Sequence, residues 1–190
     1  MILPIVHYGN PILQQKGSEI KKVTSVIKKL VRDMIETMHA ARGVGLAAQQ
    51  IGRAVQLTVI DIRGAEQPSQ AFLGVREISP DSLMPLILIN PKITQQEGQQ
   101  IGSEGCLSFP GISAEISRAN TIHASAIGLE EELIQFVATG LLSRAIQHEL
   151  DHLNGILFID RMSPSIRKPI EPELRKIEKE TLAAFKKGSR

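Results

Sequence analysis

The sequence has no tryptophan, one tyrosine and five phenylalanines among 190 residues. That leaves too few aromatic faces for a base-stacking surface on single-stranded nucleic acid. A single cysteine, Cys106, excludes an internal disulfide and leaves one thiol for metal binding or chemistry. No apolar run approaches the roughly 20 residues of a membrane span, and the start Met1-Ile2-Leu3-Pro4 has no basic segment ahead of an apolar core. These absences lead to the expectation of a cytoplasmic chain with no membrane insertion or export. Charge of one sign is also lacking: 22 Lys and Arg against 20 Asp and Glu leave a net +2, too little to imply specific DNA binding by the whole chain. With 42% hydrophobic residues the chain can bury one good core. The expected organisation is one domain over residues 1–165, with a charged helical tail over 166–190.

What is present is concentrated at Gln147-His-Glu-Leu-Asp-His-Leu-Asn-Gly155. A helix advances about 100° per residue, so His148 and His152 project from one face and can converge on one ion. Glu149 lies beside that face, poorly placed as a ligand but well placed to act on a water bound to the ion. The helix should run from Thr139 or Gly140 to Leu153, and Leu141, Leu142, Ala145, Ile146, Leu150 and Leu153 surround it almost completely, as in a buried helix. Polar groups buried there without partners would cost several kcal/mol, roughly, and an ion offers them partners.

A catalytic site of this kind takes three protein ligands and an open position, whereas a purely structural site is normally closed by four. A metzincin pattern would need His at position 158, which is Phe. A thermolysin-like pattern would need a downstream carboxylate, and Glu171 and Glu173 are candidates in a solvated-looking segment. Cys106, in Glu104-Gly-Cys-Leu-Ser108, is the remaining candidate, since one thiolate with two imidazoles is a sensible donor set.

Taken in order, residues 1–23 read as an arm with turns at Gly9-Asn10-Pro11 and Gly17-Ser18. From the N-cap Thr24, Ile27, Leu30, Val31, Met34, Ile35 and Met38 keep helical spacing, with a stop near Gly43. Val55–Ile62 and Leu86–Ile89 read as strands, and Lys92–Gln100 as a polar hairpin or edge. Arg63–Pro85, with three prolines and two glycines, reads as a long surface excursion. Residues 112–117, 121–127 and 131–137 read as antiparallel strands. Helices and strands are segregated, which predicts an α+β fold of antiparallel sheets packed around a buried central helix, with an N-terminal and a C-terminal helix.

Three segments in order, Gly43-Val-Gly-Leu-Ala-Ala-Gln-Gln50, Glu104-Gly-Cys-Leu-Ser108 and Gln147-His-Glu-Leu-Asp-His152, resemble the peptide deformylases, which remove the formyl group from N-formylmethionine of new proteins. The resemblance extends weakly from Ile5 to about Met162. It implies that Cys106, His148 and His152 bind the metal and that Glu149 is the acid/base. It implies further that Gln50 and the Leu107 N–H hold the formyl oxygen, and that Val44, Gly45 and Gly105 pair with the peptide backbone. Leu141, Arg144 and Ala145 are placed beside the methionine pocket by the same resemblance, with Arg118 near the substrate. A pocket made narrow by Gly45 and Gly105 would admit formyl and reject larger acyl groups. The implied ion is Fe²⁺, with Zn²⁺, Ni²⁺ or Co²⁺ able to replace it, and the implied partners are N-formylmethionyl nascent peptides.

The tail should form a helix from Pro172. Leu174, Ile177, Thr181, Ala184 and Phe185 make its apolar stripe, and Arg175, Lys176, Lys179, Lys186 and Lys187 its basic side. Through the resemblance this basic side suggests contact with the ribosome. A noncatalytic protein with a metal staple is the rival reading.

Overall fold

The computed structural model describes residues 1–188, with side chains through Ala184. In chain order the elements are α1 (Ser25–Ala40), β1 (Gly45–Ala47), β2 (Leu57–Ile60), β3 (Ala71–Leu73), β4 (Arg76–Ile78) and β5 (Leu86–Glu97). There follow β6 (Gln100–Gly105), β7 (Ser113–Arg118), β8 (Thr121–Ile127), β9 (Leu133–Thr139), α2 (Gly140–Leu153) and α3 (Pro164–Gly188). Seven strands form one antiparallel sheet in the order β1-β2-β5-β8-β9-β3-β4, and β6 pairs with β7 in a separate hairpin.

Period-two alternation sorts the sheet into two buried faces. Leu57, Val59 and Ile89 close on Val31, Met34 and Met38 of α1. Ile60, Leu86, Leu88, Ile122 and Phe136 close on Leu142, Ala145, Ile146 and Leu150 of α2. The α+β architecture with a buried central helix is therefore as the sequence pattern predicts, and α2 lies inside because apolar positions ring it. A third cluster joins Leu13, Phe109, Ile116 and Phe158 to Leu174 of α3.

Local signals were accurate where the chain's own chemistry decides. The Thr24 hydroxyl accepts the Ile27 N–H at 3.4 Å and caps α1. Helix α1 stops three residues before Gly43, and the left-handed residue is Arg42 (φ 55°). Gly43 serves close approach instead, since a Cβ there would lie 2.7 Å from Leu107 Cδ1.

Two expectations are corrected and a third is decided. The excursion over 63–85 contains β3 and β4, and β3 pairs with β9, so it extends the main sheet. Its strands are three residues long, too short for periodicity to register. Of the two readings of the segment after Asn90-Pro91, hairpin or edge, the second holds: it continues β5, pairing with β8 but no longer with β2, whose register stops at Ile89. Asn90 takes φ 51°, the register with β8 shifts between Ile89 and Lys92, and the Asn90 amide bonds both the N–H and the carbonyl of Ile20 at 2.9 Å. The punctuation is a β-bulge. Helix α3 begins at Pro164, not Pro172, and holds Pro169 and Pro172 within it. Ile166, Ile170, Leu174 and Ile177 fall on one face and pack on the third cluster, and that burial outweighs the hydrogen bonds the prolines cannot make. Thr181 is partly buried, Ala184 is exposed, and the side chains of Phe185, Lys186 and Lys187 lie outside the described residues.

Gly140 opens α2 with φ +58°, and a Cβ there would fall on the Pro68 carbonyl oxygen. Gly52 has φ +74° with nothing within 4 Å of such a Cβ. Gly52→Ala should therefore cost about 1–2 kcal/mol from backbone strain alone, and Gly140→Ala clearly more. Thermal unfolding of the two variants measures the order, and an equal loss would contradict this account of the helix start.

Candidate metal centre

Helix α2 presents His148 and His152 one turn apart, their ring centroids 5.0 Å apart. Hairpin β6–β7 brings Cys106 to them from the end of β6. The ligand atoms of Cys106, His148 and His152 lie within 4.8 Å of one another, with Cys106 Sγ 3.2 Å from His152 Nε2. Among the described residues this is the one such cluster. Neither Glu171 nor Glu173 joins it, and Glu171 instead accepts from Arg167 at 2.9 Å on α3.

His148 is oriented from behind. Its Nδ1 bonds Glu104 Oε2 at 2.9 Å, leaving Nε2 for an ion, the usual arrangement of an outer carboxylate and a ligating histidine. Glu104 is itself buried. Burial acts to raise its pKa, but hydrogen bonds from His148 and Arg118 prevail and hold its carboxyl well below the usual range. Burial acts to lower His148, yet its bonds with Cys106 and Glu104 leave it well above the ordinary histidine value. Burial, reinforced by the nearby His148, drives His152 well below that value. A divalent ion held here would need these donors deprotonated, so loading the site would release protons.

Glu149 lies beside this cluster, fully buried. Burial raises its carboxyl to about 7, with the His148 charge opposing. Among the described residues its Oε2 has no hydrogen-bond partner, nor has His152 Nδ1. A donor set of one sulfur and two imidazoles next to an unpartnered carboxylate oxygen fits a divalent ion with an open position. Gly45 is required here by Glu149, because a Cβ on Gly45 would fall on Glu149 Oε1. Gly105 is different, since its Cβ would meet only the Ile112 carbonyl at 3.7 Å, an ordinary contact.

Gln50 sits in a tight turn over Ala48–Ile51. The Ala47 N–H donates to its Oε1 at 2.8 Å, which turns Nε2 toward Cys106 Sγ and Ser108 Oγ, each 3.4 Å away. Those two bonds are long and easily exchanged. A cleft of about 630 Å³ opens beside these groups, and Val44, Gly45, Gly105, Leu107, Leu141 and Ala145 all line it. β1 is an edge strand. The Val44 carbonyl just ahead of it accepts from the Asp61 N–H at 2.9 Å, and by antiparallel alternation the N–H and C=O of Gly45 point to the open edge. Val44 therefore borders the cleft with a half-exposed side chain, while its carbonyl is occupied.

Arg118 is not in the cleft. Its side chain is 4% exposed and lies behind α2, with Nε and Nη2 on Glu104 at 2.9 Å and Nη1 on Asp151. It braces Glu104 instead of meeting substrate. Arg144 does line the cleft, but its guanidinium is committed to Glu104 at 2.7 Å and to the Ile116 carbonyl at 2.9 Å. Sequence reasoning missed the role of Glu104. The available signal was an acidic residue two positions before the lone cysteine, on a strand whose alternation turns it inward.

A family model described as polypeptide deformylase matches residues 2–168. A peptide deformylase of Methylacidiphilum infernorum is 45% identical, over 94% of this chain and 94% of that protein. One of Opitutus terrae is 42% identical over 98% of each. Among solved structures, the peptide deformylase of Thermus thermophilus is similar with a TM-score of 0.79 at 36% identity, covering 95% of this chain and 99% of that one. That of Legionella pneumophila gives 0.78 at 32%, covering 96% and 98%.

The raised carboxyl of Glu149 yields a pH test on metal-free protein. A folded-state pKa near 7, against an ordinary 4.5, means that its penalty on folding is absent below about pH 4.5, grows as pH rises, and is complete above about pH 7. Glu149→Gln should therefore gain stability relative to wild type as pH rises across that window, the pH-dependent part being on the order of 2–3 kcal/mol. Chemical denaturation at both ends of the window measures it, and a flat difference would refute the burial assignment.

Proposed function

The chain belongs to the polypeptide deformylase family, and we propose that Cys106, His148 and His152 hold the metal with which it removes formyl groups from the N-termini of nascent peptides. The observation that carries this reading is the three-donor cluster next to a buried carboxylate with a free oxygen. Three ligands favour turnover over a closed structural staple. No helix among the described residues is long and apolar enough to cross a membrane.

When bound, the divalent ion supplies the Lewis acidity that lets water act as a nucleophile near neutral pH. Glu149 takes the proton released as water adds to the formyl carbon, and delivers a proton to the departing amine nitrogen as the C–N bond breaks. Water and formamide thereby become formate and a free amino terminus. Gln50 Nε2 exchanges its long contacts for the formyl oxygen, and the Leu107 N–H, which has no acceptor among the described residues, supplies a second donor. Each such donor is worth about 2.7–4 kcal/mol of barrier. The peptide extends between the open edges of β1 and β6, pairing with Gly45 and Gly105 as an added strand. Leu141, Ala145 and the stem of Arg144 receive the methionine side chain.

Fe²⁺ is the proposed native ion, with Zn²⁺, Ni²⁺ and Co²⁺ as replacements. A thiolate on ferrous iron is open to oxidation, so the iron form should lose activity in air. The test is formate release from a formyl-Met peptide with metal content measured on the same sample. Cys106→Ala, His148→Ala and His152→Ala should lose the ion, whereas Glu149→Ala should keep it and lose turnover by at least about 100-fold. Normal metal content and activity in Cys106→Ala would remove the thiolate from the ligand set.

The proposed partner beyond substrate is the ribosome, in keeping with a cytoplasmic enzyme that meets chains as they emerge. Supporting this, Leu174 docks α3 to the body while Arg175, Lys176 and Lys179 stay exposed. Phosphate contacts through these groups would weaken steeply with salt. Changing Lys176, Lys179, Lys186 and Lys187 to Glu should spare hydrolysis of a short formyl peptide and abolish salt-sensitive co-sedimentation with ribosomes. Undiminished co-sedimentation would show the basic side to be only a solvated surface.

A further inference from the structure

Behind α2, on a face turned away from the substrate cleft, a polar groove of about 970 Å³ is lined by Lys16, Lys92, Gln147, Asp151 and Arg161 among others. An unbroken series of charged groups runs inward from it. Arg161 donates through Nη2 to Asp151 Oδ1 at 2.6 Å and through Nε to Oδ2 at 3.1 Å. Asp151 Oδ2 also accepts from Arg118 Nη1. The other edge of the Arg118 guanidinium grips both oxygens of Glu104 at 2.9 Å, and Glu104 Oε2 holds His148 Nδ1 at 2.9 Å. Apart from the stabilising effect any ion pair has, the proposed reaction uses none of the outer three residues.

We propose that Asp151 and Arg161 are positioning residues for the metal ligand His148, acting through Arg118 and Glu104. This rests on the reading of Cys106, His148 and His152 as the ligand set. The argument is geometric. Arg161 engages both oxygens of Asp151, so it fixes the plane of that carboxylate and aims Oδ2 at Arg118 Nη1. Without Arg161, Asp151 is free to rotate toward water in the groove, and the buried Nη1 loses its acceptor. An unsatisfied buried donor is costly, so the guanidinium tilts to recover one. Its rigid fork holds both Glu104 oxygens at once, so that tilt becomes a rotation of the Glu104 carboxylate. Glu104 Oε2 is the atom that sets the azimuth of the His148 ring. Asp151 also stands next to His152 in sequence, so α2 carries the two histidine ligands together with the outer brace of one ligand's partner. Loss of such outer partners typically weakens metal binding about 10–100-fold.

The experiment uses zinc-loaded full-length protein challenged with EDTA, following zinc release, together with the His148 Nδ1–H proton resonance. Arg161→Ala should fold, because its side chain is 45% exposed, and should release zinc about tenfold faster with a shifted His148 resonance. Asp151→Asn should do the same, and Arg161→Lys, which restores one donor, should fall between. Arg63→Ala is the control. It severs a comparable pair, Arg63 with Asp61 at 2.6 Å, that makes no bond to this series, and it should release zinc at the wild-type rate. If Arg161→Ala and Asp151→Asn lower the unfolding temperature but leave the release rate and the His148 resonance unchanged, the series is only a structural staple and the proposal fails. A wild-type protein that binds no stoichiometric zinc would overturn the ligand assignment itself.

Discussion

The site depends on one buried carboxylate. Glu104 accepts four hydrogen bonds: from Nε and Nη2 of Arg118, from Nη1 of Arg144 and from Nδ1 of His148. Those donors come from β7 and α2, while Glu104 itself sits on β6 beside Cys106. Leaving such an anion buried without partners would cost far more than one hydrogen bond is worth, so the small hairpin and the central helix are joined in one relative position. That position sets the distance from the thiol to the two imidazoles. The proposed metal centre is thus assembled by the demand of a neighbouring anion for cations.

The same arrangement separates two chemistries along a single helix. On one face, burial raises Glu149 and leaves it short of a partner, which suits a group that must take up and release a proton. Toward Glu104, an anion surrounded by cationic donors stays ionised and holds His148 in one tautomer. Both are glutamates next to His148, one bonded to its Nδ1 and the other following it in the chain. Their neighbours, and not their residue type, assign them opposite work, and Gly45 leaves the space that the first one occupies.

Substrate access follows from strand ends. Two edges, at Gly45 in β1 and at Gly105 in β6, are left unpaired in the described fold and flank the apolar wall of Leu141 and Ala145. In the proposed binding mode an extended peptide would satisfy both edges. Unpaired edges are hazardous on an exposed sheet, and here they are short and recessed in a cleft.

The sequence by itself determined what depends on near neighbours along the chain. The four-residue interval from His148 to His152 sets a common face, Thr24 caps α1, the apolar ring around α2 requires burial, and three ordered motifs identify the chemistry. Tertiary structure alone decided what depends on distant partners. The family resemblance places Arg118 near substrate, but only the fold shows it wedged between Glu104 and Asp151, residues 14 and 33 positions away. The short strands β3 and β4 exist because β9 pairs with β3, and three residues carry no periodic signal of their own. Helix α3 passes through two prolines because Leu174 and Ile177 find a core to bury against. In each case the energy that settles the matter comes from a surface brought close by folding, and such a surface leaves no local pattern in the segment it stabilises.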